Sequence, residues 1–270
     1  MPDLTITSLT NPRVKSVVRL RQRTHRDAAG RLLIEGYREI LRATEVGHPI
    51  ETLFTCPPLF LGVNNEALIA RCAAAGAELV TCSRPVFEKM AYRDRPDGLI
   101  AIAPLLNRRL ESLTPPDDAF VVVAESIEKP GNLGTILRSC DAAGVDAMLV
   151  CDRCTDLGNP NVVRASVGTL FTVPVVETGT PEALDWLATR NIAILAATPH
   201  ADALYTETDM TGPVAIVIGA EQTGLSDRWM AAATHRVRIP MLGRADSLNV
   251  ATATTILLYE VVRQRRGQPA

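Results

Sequence analysis

Three loops of this sequence carry the residue types expected at a binding or catalytic site. They are "ESIEKPGNLG" (125–134), "GAEQTGLS" (219–226) and "PMLGRADSLN" (240–249), and each follows an apolar run. Each loop combines glycine with amide, carboxylate, hydroxyl or guanidinium groups. Glycine lets the backbone approach a ligand closely, and the free N–H groups of a helix that opens after such a loop can bind oxygen atoms.

The elements around these loops indicate an α/β layer structure. Strands are predicted at the apolar runs 120–124, 147–151, 192–196, 214–218 and 236–240, and helices at 132–143, 161–169, 181–190, 226–234 and 248–265. Continuous apolar runs are typical of a parallel sheet buried on both faces. Ligands bind outside the carboxyl ends of such strands. Any one loop could be only a tight turn or a helix cap, but three loops at the same predicted edge favour a site.

The region before residue 105 alternates in the same way. Strand-like runs "LLIE", "ETLFT", "AELVT" and "GLIAIA" are separated by the helix-like pieces "GYREILRATEVG", "NEALIARCAAAG" and "SRPVFEKMA", and a further helix is predicted over 11–22. The stretch 105–118 is polar and contains proline, which is typical of a linker. We therefore expect a first domain at 1–104, a linker at 105–118 and a second domain at 119–270.

Composition and charge narrow the class of protein. The chain has 270 residues, of which 47% are hydrophobic and 21% charged, as in globular proteins. It has no apolar run of the roughly 20 residues that a membrane span needs and no signal peptide at its start, so we expect a cytoplasmic protein without membrane contact. The formal net charge is −2.

The bases are concentrated near the beginning of the chain. Residues 1–31 contain seven bases and two acids. A basic end on an acidic body suits a polyanion such as RNA, although a solvated helix face would explain the same pattern equally well. The candidate RNA-binding residues are Arg13, Lys15, Arg19, Arg21 and Arg23.

Several common chemistries lack their motifs. The sequence contains no G-x-x-x-x-G-K-[ST], no G-x-G-x-x-G after a strand, no H-E-x-x-H and no G-x-S-x-G. Cys151 and Cys154 have the C-x-x-C spacing, but no second Cys or His pair accompanies them at zinc spacing. We expect no metal, and reduced thiols for the six cysteines.

Taken in order, three segments resemble the motifs of the SpoU (TrmH-like) branch of the SPOUT RNA methyltransferases. They are "PGNLGTILRSCDAAG", "VIGAEQTGLS" and "IPMLGRADSLNVATATTILLYE", and "NPNVVRASVGTLFTVPV" between them is also similar. The resemblance covers about residues 119–266. The first half is similar, more loosely, to the L30e-like substrate-binding domain often found before SpoU domains. In two departures, "ESIEKPGN" replaces a more usual Asp-containing lead-in, and Cys140 stands where alanine is common.

The resemblance implies a fold, a reaction and an assembly. The fold would be a SPOUT domain, with a parallel sheet and a C-terminal trefoil knot, preceded by a smaller L30e-like α/β domain. The reaction would be transfer of methyl from S-adenosylmethionine to a ribose 2′-hydroxyl of RNA, with rRNA favoured over tRNA. The protein would be a homodimer with the site near the interface. The family's polar motif positions carry over onto Asn132, Arg138, Glu221, Ser247 and Asn249, and its cofactor contacts onto Gly219, Ile239 and Leu248.

Arg138 is the residue that this resemblance assigns to the reacting hydroxyl. A ribose hydroxyl is a poor nucleophile until its proton is accepted or its developing charge is stabilised. A guanidinium is a poor base in water because its pKa lies above about 12, so charge stabilisation is favoured and a base role stays open. The alternative function is a noncatalytic RNA-binding protein with a degenerate methyltransferase domain, although the intact polar motif residues argue against it. A Rossmann-type oxidoreductase lacks its fingerprint and ranks below both.

Overall fold

The computed structural model describes residues 4–267. It divides into two compact units. The first contains Met1–Leu106 and Asp156–Thr172, and the second contains Asn107–Thr155 and Val173–Ala270. The segment 156–172 therefore packs with the first unit although it lies within the second half of the sequence. The expected division into domains at the 105–118 linker stays a prediction.

The elements before residue 105 form an α/β arrangement with a mixed sheet. In chain order they are β1 (Leu4–Ile6), α1 (Pro12–Arg19), α2 (Arg23–Ala29), β2 (Arg31–Glu35), α3 (Tyr37–Glu45), β3 (Thr52–Thr55), α4 (Asn65–Ala74), β4 (Glu78–Cys82), α5 (Arg84–Met90) and β5 (Leu99–Pro104). The strand order is β1-β4-β3-β5-β2. The pairs β1–β4 and β3–β4 are parallel, whereas β2–β5 and β3–β5 are antiparallel. The four predicted strands are present, and β1 adds an edge that the sequence pattern did not reveal.

The helix predicted over 11–22 is α1, and a second helix, α2, which the sequence analysis did not predict, follows it. The Asn11 side chain accepts a hydrogen bond from the Arg13 N–H at 2.8 Å, and Pro12 occupies the first helical position, which together start α1. Val14 and Val17 are fully buried and fix the inner face of this helix. The chain then breaks at residues 20–22, and α2 ends at Gly30, whose left-handed φ of 64° suits glycine.

The strands among the remaining elements form a second sheet. In chain order they are β6 (Phe120–Glu125), α6 (Pro130–Ala143), β7 (Ala147–Cys151), α7 (Pro160–Ser166), α8 (Thr169–Thr172), β8 (Val175–Thr178), α9 (Thr180–Ala188), β9 (Ala193–Ala197), β10 (Ala203–Leu204), β11 (Val214–Ile218), α10 (Asp227–Ala232), β12 (His235–Arg238) and α11 (Val250–Arg266). Helices α7 and α8 belong to the first unit, and the other elements to the second.

The second sheet is parallel throughout, as predicted. Its strand order is β10-β12-β9-β11-β6-β7-β8, and every pairing within it is parallel. Strands β6, β7 and β11 are buried along their whole length, which is why they read as continuous apolar runs. Strands β8 and β10 escaped the sequence analysis because they have too few consecutive apolar residues. The trefoil knot stays a prediction.

No helix within residues 4–267 is long and apolar enough to cross a membrane. Buried apolar side chains form clusters in both units. One cluster includes Leu33, Phe54 and Ile100, and another includes Val123, Leu149 and Trp229.

A buried ion pair fixes the segment 156–172 within the first unit. The Arg26 side chain is 1% exposed, and its Nη2 lies 2.7 Å from Oδ2 and 2.9 Å from Oδ1 of Asp156. Its Nη1 donates to the carbonyls of Leu20 and Arg21 at 3.0 and 2.8 Å. Arg26 was counted among the bases of the N-terminal segment, but in the structure it is an internal cross-link.

We expect that Asp156→Ala destabilises the protein by about 3–5 kcal/mol, because it leaves the Arg26 guanidinium buried without its counter-charge. Urea unfolding followed by circular dichroism measures the change. The control is Asp27→Ala, which removes an exposed ion pair with Arg23 at 3.5 Å and should cost no more than about 1 kcal/mol. Equal losses in the two variants would contradict a structural role for the buried pair.

Candidate active site

The three glycine-containing loops lie at one edge of the parallel sheet. They follow β6, β11 and β12, which run in the same direction in that sheet. Glu125, the last residue of β6, is 5% exposed, and its Oε2 accepts a hydrogen bond from the Ser226 N–H at 2.8 Å. This partly buried bond ties the end of β6 to the end of the second loop.

Three side chains, one from each motif, meet at this edge. The Asn132 Nδ2 donates to Glu221 Oε1 at 2.6 Å. The Asn249 Nδ2 donates to the same Oε1 at 3.1 Å and to Asn132 Oδ1 at 3.2 Å. We call Asn132, Glu221 and Asn249 the amide–carboxylate cluster. The sequence expectation that the three loops converge is therefore met by direct contacts.

Local structure sets the orientation of both amides. Asn249 is the N-cap of α11, and its Oδ1 accepts from the Ala251 N–H at 3.0 Å, so its Nδ2 is left to face the cluster. Asn132 lies in the first turn of α6, which begins at Pro130, two residues earlier than predicted. A methyl group on Gly131 would meet no atom within 4 Å. The glycine-rich turn that we expected there is thus the first turn of a helix, and packing does not require glycine at this position.

Lys129 provides the cluster with a counter-charge. Its Nζ forms an ion pair with Oε2 of Glu221, on the carboxylate oxygen that the amides do not use. The hydrogen bond from Lys129 holds the pKa of Glu221 below its ordinary value, and the bond from Asn132 acts in the same direction. Glu221 is therefore ionised at neutral pH, as an acceptor of several hydrogen bonds must be.

The second loop folds tightly onto the end of β11. Ala220 and Gly224 form an isolated antiparallel bridge, and Gly224 has a φ of 68°. A Cβ on Gly219 would overlap the carbonyl group of Gly224. Glycine at position 219 is thus required by a close backbone approach, which places Glu221 at the tip of a compact loop.

An apolar cavity of about 110 Å³ lies next to the third loop. Its walls come from the segments after β9 and β12 and from the beginning of α11. The residues that line it include Thr198, Ile239, Met241, Asp246, Ser247 and Leu248. Ile239 and Leu248, both expected to contact a cofactor, and Ser247, expected to be catalytic, therefore share one cavity. Gly219, the third expected cofactor contact, is not among its lining residues.

Arg138 lies outside the amide–carboxylate cluster. It is exposed on α6, and its side chain makes no hydrogen bond or ion pair with any residue in the range 4–267. Six helical positions separate it from Asn132, which corresponds to about 9 Å along the helix axis. The neighbouring Ser139 Oγ lies 2.7 Å from Thr255 Oγ1, which fixes α6 against α11. The structure thus brings together three of the five expected catalytic residues.

Sequence reasoning missed Lys129 and Glu125 as parts of the site. Both stand in the first glycine-containing loop or at its border, so their position was a usable signal. Their partners are 92 and 101 positions away, and one sequence does not reveal such pairings. Thr198 was missed because it lies in no motif, whereas Met241 and Asp246 stand within the third loop but were not singled out there.

Within the part of the chain that the structure describes, no three His, Cys, Asp or Glu residues are grouped so that they could hold a metal ion. All six cysteines, which fall within residues 4–267, are free thiols, and only Cys154 is exposed.

Two models of known protein families match this chain. The model of the SpoU rRNA methylase family matches residues 119–259, more than half of the chain. The chain belongs to this family. A second model, that of the MRM3-like substrate binding domain, matches residues 11–101. The fold class suggested by the three motifs is confirmed, with a substrate-binding domain before the SpoU domain.

Known relatives align with almost the whole length of this chain. It is 32% identical over 255 residues to a 23S rRNA (uridine(2479)-2′-O)-methyltransferase of Streptomyces viridochromogenes, covering 91% of this chain and 87% of the relative. A crystal structure of an RNA 2′-O ribose methyltransferase has 45% identity and a TM-score of 0.84, covering 97% of this chain and 100% of that one. An AdoMet-bound rRNA methyltransferase from Sinorhizobium meliloti has 32% identity and a TM-score of 0.88, covering 96% and 97%.

We expect that Lys129→Met raises the pKa of Glu221 toward its ordinary value of 4.5, because it removes the largest cause of the depression. An NMR titration of the Glu221 side-chain carboxyl carbon measures the shift. Lys89→Met, which alters a lysine of the first unit, is the control and should leave that titration unchanged. An unaltered Glu221 curve in Lys129→Met would show that the ion pair does not set the charge of the cluster.

Proposed function

We propose that this SpoU-family protein transfers a methyl group from S-adenosylmethionine to a ribose 2′-hydroxyl of RNA, and that its substrate is rRNA rather than tRNA. The observation that carries the proposal is the amide–carboxylate cluster, assembled from all three motifs and joined through Ser247 and Leu248 to the apolar cavity. The named activities of the relatives support the same reaction and the same class of RNA.

We assign the apolar cavity to the adenine ring of the cofactor. Ile239, Met241 and Leu248 offer apolar walls, while the Thr198 hydroxyl and the Asp246 carboxylate supply polar groups that can fix orientation. We assign Ile239, Leu248 and Gly219 to cofactor contact, with Gly219 acting through the compact loop after β11. Bound S-adenosylmethionine supplies a methyl group on a positively charged sulfur, which needs no metal for activation.

The protein's own contribution is orientation and charge. The ionised Glu221 holds both amides of the cluster in fixed positions, where they can align a ribose. Ser247 lines the cavity and lies two residues before Asn249 in the chain. The unpaired guanidinium of Arg138 is available to the substrate's oxygen and its neighbouring phosphate, and we assign it to stabilising the developing negative charge. A base role is disfavoured because a guanidinium is a poor proton acceptor in water.

Three further properties are proposed on the family resemblance. The protein acts as a homodimer with the site near its interface, the C-terminal segment is threaded in a trefoil knot, and the protein works in the cytoplasm. The six free thiols agree with the reducing cytoplasm.

The basic N-terminal segment contributes unequally to RNA binding in this proposal. Arg13 pairs with Glu78 at 2.7 Å. Arg21 donates to the carbonyls of Lys89 and Ala91 at 2.8 and 2.6 Å. Arg23 pairs with Asp27 at 3.5 Å. These three bases are already engaged within the protein.

Lys15 and Arg19 are the free members of the segment. Both are exposed on α1, and neither side chain makes a hydrogen bond or ion pair within residues 4–267. They stand four positions apart on one helix face, where two like charges repel. A phosphate backbone relieves that repulsion, so we assign the first phosphate contacts to Lys15 and Arg19.

We expect that Lys15→Ala with Arg19→Ala weakens rRNA binding and lowers the slope of log K against log salt by about 1.4 to 1.8, because two phosphate contacts are lost. Filter binding at four salt concentrations measures the slope. Arg13→Ala with Arg23→Ala removes the same charge and should change the slope less. If both double variants and the native protein gave identical slopes, the segment would be only a solvated helix face and not an RNA contact.

The function is tested by transfer of radiolabelled methyl from S-adenosylmethionine into total rRNA and tRNA, followed by nucleoside analysis. We expect label in a 2′-O-methyl nucleoside of rRNA. Label on a base would overturn the chemistry. No label together with no cofactor binding would favour the noncatalytic RNA-binding alternative.

We expect that Arg138→Ala binds S-adenosylmethionine as the native protein does but loses about 100- to 1,000-fold in kcat, because one group that stabilises developing charge is removed. Calorimetry measures binding and the radiolabel assay measures turnover. Arg266→Ala, at the exposed end of α11, is the charge-matched control. Native turnover in Arg138→Ala would refute the assigned role.

A further inference from the structure

A cleft of about 710 Å³ is lined by residues of the first unit. It is bounded by the start of α3, the loop between β3 and α4, the loop before β5 and helix α7. The residues that matter for its chemistry are Tyr37, Arg38, Leu61, Val63, Asn64 and Arg164. We call this the Arg38–Arg164 cleft. All of its lining residues belong to the first unit.

Two arginines in the cleft lack partners. Arg38 and Arg164 are exposed, and neither guanidinium makes a hydrogen bond or ion pair with residues 4–267. By contrast, Arg93 in the same cleft is paired with Glu39 and donates to the Glu35 carbonyl at 2.8 Å. The cleft therefore presents two free cations to a ligand while its third arginine is held by the protein. Such a pair suits phosphate, which guanidinium groups bind with charge-assisted hydrogen bonds.

One wall of the cleft carries two large apolar side chains that are exposed to solvent. Leu61 is 80% exposed and Val63 is 94% exposed. The loop that carries them is anchored by Asn65, a buried residue whose Nδ2 donates to the Gly62 carbonyl at 2.9 Å. Two large apolar side chains on an anchored loop offer a flat contact surface for an apolar ring. Asn64 beside them is exposed, and its side chain does not cap α4.

The floor of the cleft is preformed. Asp97 Oδ2 accepts from the Tyr37 N–H at 2.8 Å, and Glu39 is ion-paired with Arg93. Burial raises the pKa of Glu39, although Arg93 opposes this. Charged groups held in a partly buried network cost stability, and such arrangements concentrate at ligand sites. These bonds hold the floor in place, so little ordering is needed on binding.

We propose that the Arg38–Arg164 cleft holds one unstacked nucleotide of the RNA substrate. Arg38 and Arg164 bind its phosphates, Leu61 and Val63 cover one face of its base, and the Asn64 amide reads the edge of the base. The volume lies within the range of about 300–1,000 Å³ usual for small-ligand sites. RNA is read with sequence specificity mainly through bases splayed out of their stack. The assignment rests on the proposed function only in taking RNA as the substrate.

The first test separates the charged half of the cleft from its apolar half. Arg38→Ala with Arg164→Ala should weaken rRNA binding by roughly 10- to 100-fold and reduce the salt slope by about 1.4. Leu61→Ser with Val63→Ser should weaken binding by roughly 5- to 10-fold with an unchanged salt slope, because it removes apolar contact and no charge. All four side chains are exposed, so melting temperatures should match the native protein. Arg71→Ala, on the same unit but outside the cleft, is the control.

The second test detects the unstacked base itself. The probe is a single-stranded 12-nucleotide RNA containing 2-aminopurine, whose fluorescence rises when the base leaves its stack. The native protein should raise the fluorescence, and Leu61→Ser with Val63→Ser should not. If the cleft bound free inorganic phosphate and the 2-aminopurine fluorescence did not change, the ligand would be a simple anion and not a nucleotide. That result would overturn the proposal.

The outcomes also separate this proposal from the proposed function. If both double variants bind rRNA with native affinity, the cleft does not hold a nucleotide of the RNA, whatever the methyl-transfer assay shows. Weakened affinity in both variants, in a protein that neither binds S-adenosylmethionine nor transfers a methyl group, supports the cleft and refutes the enzyme.

Discussion

The carboxylate of Glu221 joins three loops that are far apart in the chain. One oxygen accepts hydrogen bonds from Asn132 and Asn249, and the other faces Lys129. The parallel sheet makes this possible because it delivers the ends of β6 and β11 to the same edge. The contact is polar, partly exposed and small in energy. Its value lies in geometry, since it turns three separate loops into one surface with fixed donors and acceptors.

The arginines of the first unit divide according to whether the protein already uses them. Arg26 is buried against Asp156 and serves as a structural cross-link. Arg93 is held by Glu39 and shapes the floor of the cleft. Arg19, Arg38 and Arg164 have no partner within residues 4–267. Counting charges along the sequence treats these groups alike, whereas the structure separates cations that stabilise the fold from cations free to meet an anion.

Much of the second sheet could be predicted because burial on both faces leaves a plain signal. The predicted strands at 147–151 and 214–218 coincide with β7 and β11. Strands β8 and β10 could not be predicted because too few apolar residues mark them. Helix α2 could not be predicted because its sequence, RTHRDAA, has no large apolar residue to mark a buried face.

The candidate site was predictable to the level of loops and not of contacts. Motif resemblance named Asn132, Glu221 and Asn249, and the structure brings them within hydrogen-bonding distance. The same reasoning did not reveal that Arg138 stands apart from them, because that depends on helix phase. Nor did it reveal Lys129, because an ion pair between positions 129 and 221 is a property of the folded chain.

Asn249 caps α11 with its oxygen and completes the cluster with its nitrogen. Docking of the C-terminal helix and completion of the site are therefore one event. During synthesis, the sheet strands and all three motif loops leave the ribosome before residues 250–266 do. A nascent chain can thus contain the whole parallel sheet and still lack an organised site, and competence for chemistry arrives only with the last helix.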